Sequence, residues 1–187
     1  MRQNYFNGVG MLLELLQKRR SIRKFKAKSI EQGKIDYLLE SVLRSPSSRS
    51  LNPWEFVVVD EQEQLQELSR AKPHGAGFLK NAPLAIAVCA DPEKCDVWIE
   101  DCSIAALLLH LAAADIGLGS CWVQIRLRQH ESGVPASKRA AEILGLEERM
   151  EVEAIMALGY ADEEKPGHAR DQLLWERVHY NRYGLNM

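Results

Sequence analysis

The chain has 187 residues, 46% of them apolar and 27% charged. That is enough for one packed domain and too ordinary for a disordered, collagen-like or low-complexity polypeptide. Twenty-four basic residues against 26 acidic ones leave a net charge of −2. This balance argues against a general nucleic-acid or membrane-surface binder, so any anionic ligand must be met by a local cluster of cations.

The opening MRQNYFNGVGMLLELLQKRR has no long apolar core or small-residue cleavage site and turns charged early, so it does not read as a signal peptide. The most apolar stretch, Ile104 to Ala114, contains His110 and is too short to cross a bilayer. With no secretion signal, Cys89, Cys95, Cys102 and Cys121 are expected to be reduced thiols of a cytoplasmic protein, and their spacing suits neither a CxxC site nor zinc.

Met11 to Arg19 reads as a short helix with cations at its negative end. Ser29 to Gln32 has the Ser-x-x-Gln form of a capping box, opening a helix with Ile35, Leu38, Leu39, Val42 and Leu43 on one face. SPSSRSLNP, residues 45–53, is a loop. Strands are expected at Trp54 to Val59 and Leu84 to Ala90, with an amphipathic helix after Asp60. Trp98 to Asp115 is apolar almost all round, the pattern of a buried central helix, and Gly117 ends it. Cys121 to Ile125 is a third strand, Ser137 to Leu144 a short helix stopped by Gly145, and Glu151 to Leu158 a fourth strand. The tail LLWERVHYNRYG is too aromatic to be free and is expected to pack on a partner chain. No linker or repeat divides the chain, which reads as one domain over 1–187 with an arm at 162–187. Interleaved helices and strands predict a layered sandwich, and short connections favour a mixed sheet.

Three segments carry candidate chemistry. In Arg19-Arg20-Ser21-Ile22-Arg23, an extended chain puts Arg19, Ser21 and Arg23 on one face, two guanidinium forks around a hydroxyl, which suits a phosphate dianion. A solvated basic helix end is the alternative for the same residues. The hydroxyls and amide of residues 46–53 suit the polar edge of a heteroaromatic ring, or else form a turn with an Asx or Ser cap. Gly117-Leu118-Gly119 leaves a helix instead of opening one, so it is no dinucleotide phosphate loop and needs no role beyond the helix end. Neither GxSxG nor HExxH is present. His110 is expected to be a hydrogen-bonded core histidine, and Glu100 and Asp101 to cap their helix.

Taken in order, RRSIRKF, SPSSRSLNPWEFVVV, FLKNAPLAIAVCAD, WIEDCSIAALLLHLAAADIGLGSCW, MALGY and VHYNRYG resemble the FMN-dependent nitroreductase family from Leu12 to Gly184. The resemblance implies an α+β fold with a mixed central sheet and an intertwined homodimer with two FMN sites at its interface. It implies that Arg19, Ser21 and Arg23, with Arg20 beside them, hold the FMN phosphate. Arg170, ahead of Lys165, closes that site. Ser47 and Ser48 reach the flavin of the other subunit, and backbone groups near Val123, Gln124 and Ile125 meet its ring. The family's Asn and Gln in the loop are Ser50 and Asn52 here, so Asn52 offers a shorter amide. The implied activity is hydride transfer from NADH or NADPH through flavin N5 to a nitroaromatic, quinone or similar flat acceptor. A non-catalytic flavin-binding protein, or a dehalogenating or flavin-cleaving relative, is the alternative.

Overall fold

The computed structural model describes residues 10–185, and the first nine residues of the signal-peptide reading lie outside them. The chain divides into two units. One comprises residues 21–164 and the other joins 1–20 to 165–187, so the C-terminal segment groups with the N-terminal helix and begins at Lys165.

The larger unit is built on strands β1 (Trp54–Val59), β2 (Leu84–Ala90), β3 (Gly119–Gln124) and β4 (Glu151–Gly159). They lie in the order β1-β2-β4-β3, and all three ladders are antiparallel. Among the described residues, the parallel component expected of a mixed sheet is confined to one isolated bridge, Ser21 to Ser120. Numbering the N-terminal helix Met11–Lys18 as α1, this unit also holds α2 (Gln32–Leu43), α3 (Gln62–Leu68), α4 (Trp98–Asp115) and α5 (Ala136–Leu144).

Every residue of β2 is buried because both its faces are covered. Ala85, Ala87 and Cys89 join Leu65 and Leu68 of α3 and Ala140 of α5 in one core. Ile86 and Val88 join Leu38 of α2 and Cys102, Ala106 and Leu109 of α4 in the other. The two-residue period of the strand thus sorts its side chains between two helical layers, giving the α+β sandwich.

Two sequence expectations change. α2 starts at Gln32 behind Glu31, which makes no side-chain cap, so Ser29 opens no capping box. Ile30 is buried in the core, and the Glu31 carboxylate is drawn away to Lys28 Nζ at 2.9 Å and to the Tyr160 hydroxyl. α4 buries one face only, leaving Ile104 40% and Leu107 51% exposed. It is central to the core and also carries an apolar stripe with no cover from its own unit.

In the smaller unit, α1 buries none of its residues. Gly167 approaches the Gln17 carbonyl so closely that a Cβ would overlap it, and the Arg20 guanidinium donates to the Pro166 carbonyl.

Candidate functional site

Leaving α1, the chain is extended at Arg19 (φ −60°, ψ 132°). In the larger unit it stays so and lies along the outer edge of β3. Ile22 N–H donates to Ser120 O at 3.0 Å, and past the start of β3 the segment pairs with the residues that follow β4, where Phe25 bridges Ala161. Two glycines permit this approach. A Cβ on Gly119 would lie 2.9 Å from Ile22 Cβ, and one on Gly159 2.7 Å from Pro83 Cδ and 2.9 Å from Phe25 Cδ1. Gly119 therefore has a role that the sequence reading did not assign to it.

The Glu163 carboxylate accepts from the Arg23 and Lys24 N–H groups at 2.5 and 3.2 Å, leaving Arg23's side chain exposed with its guanidinium over the Phe78 ring. Arg23, Lys24, Lys26 and Lys80 line an open groove of about 820 Å³ with Asp60 and Asp162. Arg19, Arg20 and Arg170 belong to the smaller unit. There Arg170 stacks on Trp175, whose indole donates to its carbonyl at 3.2 Å.

β3 is an edge strand whose alternation decides which backbone groups face outward. Ile125 N–H donates to Glu153 O at 3.2 Å, as does Arg126 N–H at 3.0 Å, so a bulge faces Glu153 and the odd-numbered residues bond to β4. Val123 and Ile125 turn their backbone inward and their side chains into the core. Trp122 and Gln124 turn theirs to the open edge, as Ser120 does. The Gln124 side chain is fixed between Trp122 Nε1 (2.9 Å) and Arg126 O (3.0 Å). Behind the edge, His110 is the core histidine expected, its Nδ1 hydrogen-bonded to the Ser120 hydroxyl.

The 45–53 loop is tightly constrained. Ser47 Oγ donates to Asn52 Oδ1 at 2.6 Å and accepts from Asn52 N–H at 2.9 Å. Arg49, Ser50 and Asn52 all take positive φ (53°, 55° and 46°). Such backbone costs of order 1 kcal/mol or more per residue and persists where the surroundings impose it. Two residues impose it here. Asp96 pairs with the Arg49 guanidinium at the surface. Asp101, 3% exposed, accepts Ser48 N–H at Oδ1 over 2.9 Å and the Cys95 thiol at Oδ2 over 3.5 Å. Asp101 is the fourth residue of α4 and caps nothing there. Its sequence signal, an acid in a first helical turn, is identical to that of a helix-dipole acid, which is why the sequence reading missed its link to the loop.

A second charge absent from the sequence reading is Lys72, buried, its amine held below the ordinary value first by burial and then by the Arg128 guanidinium. The four cysteines are buried and none forms a disulfide. Burial pushes the Cys89 thiol up to about 12 and raises that of Cys102, so these two are poor nucleophiles.

The nitroreductase family profile matches residues 16–74 and 61–160. The chain belongs to the nitroreductase family. An FMN-dependent nitroreductase from Clostridium difficile is 47% identical, with a TM-score of 0.89 over 90% of this chain and 98% of its own. A relative from Archaeoglobus fulgidus, named for NADH dehydrogenase and NAD(P)H nitroreductase activity, is 34% identical over 91% of this chain and 98% of its own. An NADPH:FMN oxidoreductase from Vibrio harveyi, solved with NAD+, is 25% identical, with a TM-score of 0.77 over 92% of this chain and 77% of its own. The chain is thus a nitroreductase-family oxidoreductase.

Proposed function

We propose that this nitroreductase-family protein binds FMN and passes electrons from NADH or NADPH to a small flat acceptor, a nitroaromatic or quinone. The observation that carries the reading is the open edge of β3 beyond the Ser21–Ser120 bridge. There the main-chain N–H and C=O of Gln124 face outward, beside a segment bearing Arg23. A flat heterocycle with donors and acceptors on its rim satisfies such an edge, and an anionic tail meets the cations. The residues present fit FMN on both counts.

Bound FMN supplies the two-electron chemistry at N5 of its ring. Arg19, Ser21 and Arg23 hold the phosphate, with Arg170 closing the site. Arg20 serves by anchoring the Pro166 carbonyl. Gln124 orients the ring rim through its backbone, while Val123 and Ile125 support it from the core. Ser47, Ser48 and Asn52 act in trans, on the flavin of a second copy. Because no side chain has to accept or donate a covalent bond, one open face can receive reductant and acceptor in turn.

The trans arrangement requires a homodimer. The Ile104/Leu107 stripe of α4 and the exposed Leu12, Leu13, Leu16, Leu174 and Trp175 of the smaller unit support it, since exposed apolar surface of this kind is covered by association.

Absorbance of the purified protein, followed by anaerobic addition of NADH or NADPH, tests the reading. Oxidised-flavin bands that bleach, with FMN released on heating, are expected. A bound flavin that both nucleotides leave oxidised would instead make the protein a non-catalytic flavin binder, and absence of flavin affinity would overturn the proposal.

A further inference from the structure

We propose that Asp101 is a positioning residue for the flavin, acting through the Ser48 main chain. The inference rests on the proposed reading that the 47–52 loop meets the ring. Burying a carboxylate is costly unless its oxygens are matched by donors. Asp101 accepts from two donors, Ser48 N–H and the weakly donating Cys95 thiol. The strong one is a loop amide 53 residues away in the chain. One short stretch, residues 95–101, therefore grips the loop at two places. The Asp96–Arg49 pair is largely solvent-exposed, and exposed pairs of that kind contribute little. The Asp101–Ser48 contact is made by a buried carboxylate and is charge-assisted, so it dominates.

What the grip holds is a conformation the loop would not adopt alone. Three L-residues in the left-handed region, tied by the reciprocal Ser47–Asn52 bonds, form a loop whose shape depends on an external anchor. A site built on a loop keeps its geometry only when the rigid scaffold locks that loop. Asp101, carried on the 18-residue α4, is that lock. Its carboxylate never touches the ring. It sets where the Ser47 and Ser48 hydroxyls stand.

Asp101→Ala and Asp101→Asn test this, compared with the wild type by FMN titration of the apoprotein and by visible circular dichroism of the bound flavin. Both are read well below the melting temperature, and far-UV dichroism checks the fold. Asp101→Ala is expected to weaken FMN binding by roughly tenfold or more and to alter the flavin dichroism. Asp101→Asn, which keeps an acceptor for Ser48 N–H, should restore most of both. A purely structural Asp101 would lower only the melting temperature, and unchanged flavin affinity and dichroism in Asp101→Ala would overturn the inference while leaving the flavin reading intact. A wild type that takes up no FMN would remove both. If Asp101→Ala does not fold, Ser48→Pro against Ser48→Ala isolates the same N–H. A larger loss of FMN affinity in the proline variant is expected, and equal losses would overturn the proposal.

Discussion

Gly119 and Gly159 stand directly opposite each other in the β3–β4 register, and each lies where the 22–25 segment presses on the sheet. One accepts Ile22 and the other accepts Phe25 together with Pro83. The pair makes a bare patch on a sheet whose other positions carry side chains, and the extended segment bearing Arg23 rests on it.

Gly159→Ala should therefore destabilise the protein by about 1–3 kcal/mol, the usual cost of overpacking. The added methyl meets the stiff Pro83 ring at 2.7 Å. Gly119→Ala meets Ile22 at its Cβ and Cγ2, both at 2.9 Å, and should cost a similar amount, because a β-branched side chain cannot swing its Cβ aside. Urea denaturation of both variants measures these losses. Equal stability to wild type in Gly159→Ala would mean that the segment does not rest on the sheet.

Arg23→Ala removes an exposed guanidinium that sits over the Phe78 ring. Loss of one charge-assisted phosphate contact is worth about 1.5–3 kcal/mol, so FMN affinity should fall roughly ten- to a hundredfold while thermal stability without flavin stays near wild type. Titration of the apoprotein decides it, and undiminished affinity would mark Arg23 as a solvated cation.

Glu153 gives the protein a pH dependence of predictable sign. Its carboxyl is raised above the ordinary value first by burial and further by Glu100, against the opposing pull of Arg126, 3.9 Å away, and of Gln124. Its Oε2 has no hydrogen-bond partner. A folded-state value above the unfolded one means that the folded protein binds the extra proton between the two. The contribution of this group is then most favourable below the unfolded value, near 4.5, and is lost as pH rises through the raised folded value. Glu153→Gln should flatten that part of the stability profile. Melting temperatures of both proteins across the weakly acidic to neutral range check it. Parallel profiles would show that Glu153 is not responsible.

Leu107→Lys places a charge in the exposed apolar stripe of α4 without touching the packed face that holds Leu109 and Ala106. The variant should fold normally, sediment as a smaller species than wild type, and bind FMN less well if, as proposed, each site is built from both chains. A variant that stays fully dimeric would place the interface elsewhere.

The strands at Trp54–Val59 and Leu84–Ala90, the strand Glu151–Gly159 up to Leu158, and the long helix Trp98–Asp115 were legible from the sequence, as were the loop between residues 45 and 53 and the run of cations after α1. Periodicity and turn chemistry are local, so they can be read without knowing what packs around them. The false capping box at Ser29 shows the limit of local reading: Glu31 answers to Tyr160, 129 residues away. Only the tertiary structure decided that Asp101 holds Ser48, since an acid in a helical first turn looks the same whether it faces a dipole or a distant loop. Likewise, which of Val123, Gln124 and Ile125 offers its backbone outward depends on the register with β4 and on the bulge opposite Glu153. That register is a contact between strands, and no residue in either strand encodes it alone.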